Sequence, residues 1–222
     1  QNNFLLSITH ELKSPLASLK LSMQTIQKRQ LDAEHIKSMA DMSMDDIERL
    51  ELLVENILLA SKIESANFSL NRELMDLSTI TTTIYDKIII KHSGQRKFLT
   101  EIEKDIYIYG DRFSFSSVIY NLIENAIKYS AADAEITVAL TGDEKNAYLS
   151  VKDTGIGIPG TEKSRIFERF YRIGTEETRK TKGTGLGLFI VKHVVEMHKG
   201  SIQVKNNSPK GSIFEVSIPV GA

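Results

Sequence analysis

The chain has 222 residues, of which 41% are hydrophobic and 26% are charged, and its formal net charge is −1. This length predicts one or two globular domains, and the balanced charge provides no overall field that favours nucleic acid. Cysteine is absent, which excludes disulfides, thiolate metal sites and cysteine catalysis. No stretch reaches the ~20 apolar residues that a membrane span needs. The first residue is Gln1, and we expect the chain to be part of a longer protein.

Residues 1–66 contain no glycine, and their apolar residues recur at helical spacing. In the second half these residues step alternately by four and three, which is the heptad period of helices packed at a shallow angle. The positions are Ile36, Ala40, Ser43, Ile47, Leu50, Val54, Ile57 and Ser61. A similar stripe runs from Phe4 to Ile26, and Asp32 suits an N-cap for the second helix. The pattern predicts an antiparallel helical hairpin.

A two-helix hairpin has too small a core to be stable by itself. We expect two hairpins from two chains to form a four-helix bundle, which makes the protein a homodimer. In the alternative arrangement, the apolar stripe packs against the second domain of the same chain.

From Phe68 onward the pattern changes to mixed strands and helices. Strands are predicted at 68–75, 97–103, 106–109, 135–141, 147–153, 201–206 and 212–218. Helices are predicted at 77–92, 112–129 and 185–198, the second capped by Asp111. These elements predict a two-layer α/β sandwich with a mixed sheet. Residues 160–183 are polar without a strong period, and a loop of this length inside a compact domain is usually functional or disordered.

The predicted helix 112–129 carries polar residues along one side of an otherwise apolar surface. Asn121, Asn125 and Lys128 with Tyr129 fall on this side, because helix positions four apart share a face. Amide oxygens are hard ligands that suit Mg²⁺, and a lysine beside them can meet phosphate charge. Equally, the two asparagines could be ordinary helix-surface residues.

Two glycine-rich segments follow. Asp153 ends a predicted strand and could accept a hydrogen bond from an amine such as that of adenine, although a simple turn would use the same residues. Gly183, Gly185 and Gly187 open a predicted helix, which is a ready site for an anion. The spacing fails the dinucleotide fingerprint, and no phosphate-binding loop of the Gly-x-x-x-x-Gly-Lys-Ser/Thr type exists.

The remaining candidate is His10, which lies off the apolar stripe of the first helix. An exposed neutral imidazole is a competent nucleophile near pH 7. Glu11 could hold one ring N–H and take up the proton as the other nitrogen attacks. A single helix-surface histidine usually has no chemical role, and His35, His92, His193 and His198 are interpreted in that way.

The four motifs, in this order and spacing, resemble the sensor histidine kinases of two-component signalling, and the resemblance covers essentially the whole chain. It implies an α+β protein with two domains. Residues 1–66 would be the dimerisation and phosphotransfer hairpin. Residues 67–222 would be an ATP-binding domain of the gyrase, chaperone and histidine-kinase type, joined through a hinge at 64–70.

The resemblance also implies site residues. His10 corresponds to the phospho-acceptor, Glu11 to its acid–base partner, and Arg172 to a γ-phosphate contact. Asn125, with Asn121 beside it, corresponds to the Mg²⁺ ligand. The remaining nucleotide contacts would be Lys128, Tyr129, Asp153, Gly155, Gly157, Ile158, Phe167, Phe170, Gly183, Thr184, Gly185, Leu186 and Gly187, of which the two phenylalanines anchor the lid over the phosphates.

Two positions bear on the reaction. In the related ATPases a glutamate that activates water occupies the place of Asn121, and an amide cannot act as a base, so we expect hydrolysis not to be the main reaction. Four residues after the histidine the family usually has Thr or Asn, which helps to hydrolyse the phosphorylated partner. Here Ser14 retains the hydroxyl but lacks the methyl group that restricts its rotamer. Phosphatase activity therefore depends on whether this hydroxyl suffices.

The function implied is Mg²⁺- and ATP-dependent autophosphorylation of His10, followed by phosphotransfer to an aspartate of a response regulator. The chain would be the cytoplasmic portion of a membrane-anchored bacterial sensor, with no nucleic acid as partner and membrane contact only through segments upstream of Gln1. Two rival functions are a nucleotide-binding scaffold without kinase activity, and an ATPase or serine kinase built on the same ATP-binding fold.

Overall fold

The computed structural model of the protein describes residues 2–63, 69–92, 96–174 and 183–221, with side chains from Ile8 onward. The predicted domain boundary at 66/67 and most of the predicted hinge at 64–70 lie outside the described residues. Among the described helices, none is both long and apolar enough to cross a membrane.

Two long antiparallel helices form the N-terminal part, as the heptad pattern predicts. Helix α1 spans Asn2–Lys28 and helix α2 spans Ala33–Ile63, a length of ~46 Å at 1.5 Å per residue. Asp32 caps α2, because its Oδ1 accepts the backbone N–H of His35 at 2.8 Å. The helical hairpin is therefore confirmed.

The apolar stripe of α2 is only partly covered within one chain. Ser43 is buried against α1, and Leu59 and Ala60 are buried near the end of the helix. Ile36, Ile47 and Val54 remain 42%, 37% and 47% exposed. The same chain's second domain does not cover these three positions, which form, with Met44 and Leu58, what we call the open apolar face of the hairpin.

The rest of the chain forms the predicted two-layer α/β sandwich. Its elements are β1 (Glu73–Asp76), α3 (Leu77–His92), β2 (Lys97–Ile102), β3 (Tyr107–Gly110), α4 (Arg112–Lys128), β4 (Glu135–Gly142), β5 (Asn146–Asp153), two 3₁₀ turns (Gly160–Glu162 and Arg165–Phe167), α5 (Gly187–Met197), β6 (Ser201–Asn206) and β7 (Ser212–Pro219). The main sheet has the order β2-β4-β5-β7-β6, in which β2 and β4 are parallel and the other pairs antiparallel.

Two predicted elements are longer than the observed ones. The strand predicted at 68–75 is described as strand only over Glu73–Asp76, and it pairs with β3 outside the main sheet. Upstream of it, the N–H of Asn71 donates to the Asp111 carboxylate at 3.1 Å, so this N–H is bonded to a side chain and does not pair with a strand. The helix predicted from 185 begins at Gly187, because Gly185 has a φ of +71°, which is outside the helical region.

Helix α4 is the centre of the core. Its inner side chains Phe115, Val118, Ile119, Leu122 and Ile123 have no exposed surface. Asp111 caps the helix by accepting the N–H of Ser114 at 2.8 Å, as predicted. Burial of each such side chain contributes about 1.5–3 kcal/mol, so this face fixes the rotation of α4 about its own axis.

Polar contacts also connect α2 to the α/β sandwich. Lys91 at the end of α3 lies 2.7 Å from Asp45 and 3.2 Å from Glu48. Burial opposes the charge on Lys91, but the hydrogen bonds that its ammonium donates to these two carboxylates raise its pKa overall. The amide of Asn56 contacts α4 through Asn121 at 3.3 Å.

His198 is a structural residue and not the surface histidine that the sequence suggests. The ring is buried at the end of α5, 4.5 Å from the ring of Phe115 between centroids. Its Nε2 accepts the N–H of Asp111 at 3.1 Å, and its Nδ1 donates to the carbonyl of Val194 at 2.7 Å. Burial lowers the pKa of His198 below its ordinary value of 6.5. The neutral ring joins the end of α5 to the start of α4.

This burial predicts a pH-dependent stability. Because the folded pKa of His198 is the lower one, the unfolded chain binds more protons below pH 6.5, and the stabilisation is present above pH 6.5 and lost as the pH falls. We expect the free energy of unfolding in urea to decrease from about pH 7.5 to about pH 5.5 with a smaller slope in His198→Gln than in the wild type. His10→Gln, which changes an exposed histidine, should leave the slope unchanged. Equal slopes in all three proteins would contradict the assignment.

Candidate functional site

The buried face of α4 leaves its polar edge beside the glycine-rich segments. Asn121 is buried, and its Nδ2 donates to the carbonyl of Ser117 at 2.8 Å and to the Ser117 hydroxyl at 3.1 Å. Its Oδ1 faces Gly187, where an added Cβ would lie 2.6 Å away. Asn125 lies one turn further on and is half-buried. The edge therefore presents amide groups towards the start of α5.

Lys128 is a largely enclosed cation at the end of this edge. Burial lowers the pKa of Lys128, and the nearby Arg172 guanidinium acts in the same direction. The Lys128 ammonium lies 5.6 Å from the centre of the Tyr129 ring, and it directly faces Gly183, which has no side chain to obstruct it. A cation that has lost water in this way is a strong attractor for an anion.

Asp153 forms the second part of the site at the end of β5. The carboxylate is buried, its Oδ1 accepts the N–H groups of Gly155 at 2.8 Å and Ser212 at 3.3 Å, and burial raises its pKa. A Cβ at Gly155 would lie 2.8 Å both from that oxygen and from the Ser130 hydroxyl. Within the described parts of the chain, this hydroxyl is buried and has no hydrogen-bond partner. Asp153 and Ser130 thus place two buried polar groups beside Gly155.

The second glycine-rich segment lies across the polar edge of α4. Gly185, with its positive φ, lies against the backbone of Phe170, whose N–H donates to the Gly185 carbonyl at 3.0 Å. Thr184 accepts the N–H of Leu186 at 3.4 Å through its hydroxyl, and Leu186 is buried. The backbone is closely packed here, and Gly183 brings the same segment against Lys128.

The candidate lid is anchored by aromatic side chains. Phe167 is buried, and Phe170 carries the Arg169 guanidinium 4.4 Å from its ring centre. The Tyr171 hydroxyl donates to the Glu162 carboxylate, and Arg165 lies 4.2 Å from the centre of the Tyr171 ring. On the opposite side, Ile158 is partly buried against the core, and Gly157 adopts a φ of +74°. Residues 175–182 of the predicted loop lie outside the described residues.

His10 and Glu11 lie on α1, and Glu11 reaches this site. The imidazole of His10 is exposed, whereas the Glu11 side chain is only 11% exposed. Its Oε1 accepts the N–H of Gly183, and its Oε2 lies 3.1 Å from Arg49 of α2. Ser14 is half-buried one turn further along α1. The structure therefore brings the residue next to His10 to the enclosed Lys128.

An adenine nucleotide suits this arrangement on three observations. Asp153 and the Ser130 hydroxyl provide buried polar atoms for a base, Lys128 is an enclosed cation for phosphate, and the glycines let the backbone pass close to both groups. Over the described residues, no three His, Asp or Glu side chains cluster in a way that could hold a metal ion. A metal at this site would thus rely on amide oxygens and phosphate.

Two domain families match the chain in the expected order. Residues 1–66 match the His Kinase A (phospho-acceptor) domain, and residues 110–222 match the family described as histidine kinase-, DNA gyrase B- and HSP90-like ATPase. The chain belongs to the sensor histidine kinases. Its fold, a helical hairpin followed by an α/β sandwich, is that of this family, and the second match supports the use of ATP.

Individual relatives agree with this assignment. The chain is 34% identical over 99% of its length to the sensor histidine kinase RppB of Synechocystis, of which it spans 49%. The structure of the histidine kinase AdeS of Acinetobacter baumannii superposes with a TM-score of 0.64 at 26% identity, over 95% of this chain and 98% of that one. The histidine kinase ThkA, in a complex with the response regulator TrrA, gives a TM-score of 0.64 at 23% identity over 98% of this chain and 61% of that one.

Sequence reasoning missed several residues of this kinase site. Arg49 and Asn56 lie on α2, far along the chain from Glu11 and Asn121, so no local pattern points to them. Ser130 directly follows Tyr129, and its position after the polar edge of α4 was a usable signal.

The close contacts of Gly155 predict the effect of a single methyl group. In Gly155→Ala the new Cβ would collide with the Asp153 carboxylate, the Ser130 hydroxyl and the Tyr129 carbonyl. Overpacking of this kind costs about 1–3 kcal/mol, so we expect ADP to bind about tenfold more weakly or worse in isothermal titration calorimetry. Gly160→Ala is the matched control, because no atom lies within 4 Å of its added Cβ. Unchanged ADP affinity in a folded Gly155→Ala protein would place the nucleotide elsewhere.

Proposed function

We propose that this chain is the catalytic core of a protein-histidine kinase, which transfers the γ-phosphate of ATP to its own His10. The observation that carries the proposal is the contact of Glu11 with Gly183, since it brings the neighbour of the phospho-acceptor to the glycine segment that faces Lys128. The division into a phosphotransfer domain (1–66) and an ATP-binding domain (67–222) belongs to the same proposal.

The nucleotide would be held by groups on both sides of the cleft. Asp153 would accept a hydrogen bond from the adenine amine, in a pocket that Gly155, Gly157 and Ile158 shape and that Tyr129 borders. Lys128 would bind phosphate, and burial of its ammonium favours this pairing because an anion restores the lost solvation. The lid residues Phe167 and Phe170 with Arg172 and the segment Gly183–Gly187 would enclose the phosphates from the other side.

Asn125 and Asn121 are the residues that would hold Mg²⁺. Asn125 is the better candidate, because the Nδ2 of Asn121 is committed to Ser117 and its Oδ1 already faces Gly187. When bound, Mg²⁺ neutralises phosphate charge. Neither amide can take a proton from water, which supports an external nucleophile over hydrolysis.

His10 would supply that nucleophile. One imidazole nitrogen forms the bond to phosphorus as the bond to the bridging oxygen of ADP breaks, and the proton on the other ring nitrogen passes toward Glu11.

The exposure of His10 also suits the second step, in which the phosphoryl group moves to an aspartate of a response regulator. The complex of ThkA with TrrA supports a partner of this class. The Ser14 hydroxyl is the group that would assist a phosphatase reaction, in which water hydrolyses the phosphorylated partner.

The open apolar face of the hairpin supports a homodimer through a four-helix bundle. A second hairpin would cover Ile47, Val54 and their neighbours, which are otherwise exposed to water. The names of the matched relatives further support the cytoplasmic part of a bacterial sensor as the setting of this core.

The kinase reaction predicts the chemistry of a labelled product. Incubation with γ-labelled ATP and Mg²⁺ should give label that is labile in acid and stable in base, that is absent in His10→Gln and present in His35→Gln, the exposed-histidine control. Acid-stable label would instead select a serine or threonine kinase. Nucleotide binding without any label would select a scaffold.

The dimer predicts a solution mass. Light scattering at micromolar concentration should give twice the chain mass of 24.9 kDa. Val54→Asp should shift the protein toward monomers, because two carboxylates would be buried in the bundle. Leu74→Asp is the control, since Leu74 is exposed on β1, away from the hairpin face. A monomeric wild type would contradict the dimer.

A further inference from the structure

Arg49 has no role in the chemistry described so far, yet it contacts the one carboxylate next to His10. It lies on α2, and its Nη2 is 3.1 Å from Glu11 Oε2 on the facing helix α1. The other oxygen of the same carboxylate accepts the N–H of Gly183. Glu11 is thus fixed at one oxygen by its own hairpin, while the other oxygen faces the nucleotide-binding domain.

This ion pair differs from the other pairs on the surface. In the pairs Lys192–Glu196 and Lys205–Glu215 both side chains keep at least 34% of their surface exposed, and pairs of that kind contribute little. In the Arg49–Glu11 pair the carboxylate is only 11% exposed, while the guanidinium is 46% exposed. The partly exposed guanidinium of Arg49 thus binds a mostly buried carboxylate. This arrangement restricts the position of the Glu11 side chain.

The acid–base role of Glu11 requires such a support. Successive residues on a helix point about 100° apart, so neighbouring side chains do not face each other. Among the described residues, no hydrogen bond joins His10 to Glu11, and His10 is exposed while Glu11 points toward α2. A glutamate has three rotatable side-chain bonds, and a guanidinium that holds one oxygen removes much of that freedom before the reaction.

We propose that Arg49 is a positioning residue for phosphotransfer to His10, an inference that rests on the proposed kinase function. Arg49 keeps its bond to Oε2 throughout. Oε1 exchanges the Gly183 N–H for the ring N–H of His10. As the nitrogen–phosphorus bond forms and ADP leaves, the ring proton passes to Oε1. Arg49 itself gains and loses no proton.

The test compares four forms of this chain: the wild type, Arg49→Met, Glu11→Gln and the double variant. Single-turnover rates of His10 phosphorylation are measured at saturating ATP, and ADP affinity is measured by calorimetry. We expect Arg49→Met to lower the rate about tenfold while ADP affinity stays within about twofold. In the Glu11→Gln background the same change should have no further effect, because Arg49 acts through Glu11.

Two further variants separate positioning from a structural role. Arg49→Lys retains the charge but not the planar fork, and should restore part of the rate. Lys37→Met removes an exposed cation from the same helix and should leave the rate unchanged. Light scattering and circular dichroism verify that each variant keeps the wild-type assembly and helix content.

Three results would overturn the inference. The first is a phosphorylation rate of Arg49→Met within twofold of the wild-type rate. The second is the same fractional loss of rate on changing Arg49 whether residue 11 is Glu or Gln. The third is a loss of ADP affinity large enough to account for the lower rate. The kinase proposal fails separately, if the wild type itself forms no acid-labile label on His10.

Discussion

Helix α4 has a row of inner side chains with no exposed surface, and everything at the site takes its position from them. Because this face packs toward the core, the polar edge of α4 lies beside the glycine segment, where Asn121 faces Gly187 and Lys128 faces Gly183. The absence of side chains at Gly183 and Gly187 then lets the backbone approach this edge closely. A hydrophobic constraint therefore determines the position of a polar edge, which is the proposed phosphate site.

The hairpin joins the α/β sandwich through an apolar contact and several polar ones. Leu59 and Ala60 of α2 belong to the same buried cluster as the sandwich. Glu11 bonds to the glycine segment, Asn56 contacts Asn121, and Lys91 pairs with carboxylates of α2. Such contacts depend on charge and geometry more than on buried area, so they can be exchanged at low cost. This would suit the proposed reaction, in which the α/β sandwich must approach and leave His10. The polar contacts are the exchangeable part of this link, and the apolar contact at Leu59 and Ala60 is its packed part.

Local patterns were sufficient for most of the fold. The heptad spacing predicted the hairpin, and Asp32 and Asp111 predicted two helix starts because a cap bonds within three residues. The sequence also predicted the polar edge of α4, because helix positions four apart share a face. Whether each nucleotide contact is made stays a prediction. The structure adds proximity of Lys128, Asp153 and the glycines.

Contacts between distant segments were beyond such reasoning. Arg49 and Glu11 are 38 residues apart, and Asn56 and Asn121 are 65 apart, so their pairing depends on how whole helices cross. The prediction for His198 was wrong because the sequence at the end of α5 is typical of an exposed helix terminus. In the structure, the turn from β3 to α4 covers the His198 ring. The strand predicted from 68 is too long, and the backbone N–H of Asn71 bonds to the side chain of Asp111 instead of a neighbouring strand.

The main sheet is buried on one side only, as the strict alternation along β4, β5 and β7 shows. Inward residues such as Val138, Leu149 and Val216 are fully enclosed, while their neighbours face outward. Every second position of these strands is thus released from the demands of core packing and can drift over generations without loss of the architecture. This offers a physical reason why a protein with 34% identity can keep the same domains over 99% of the chain.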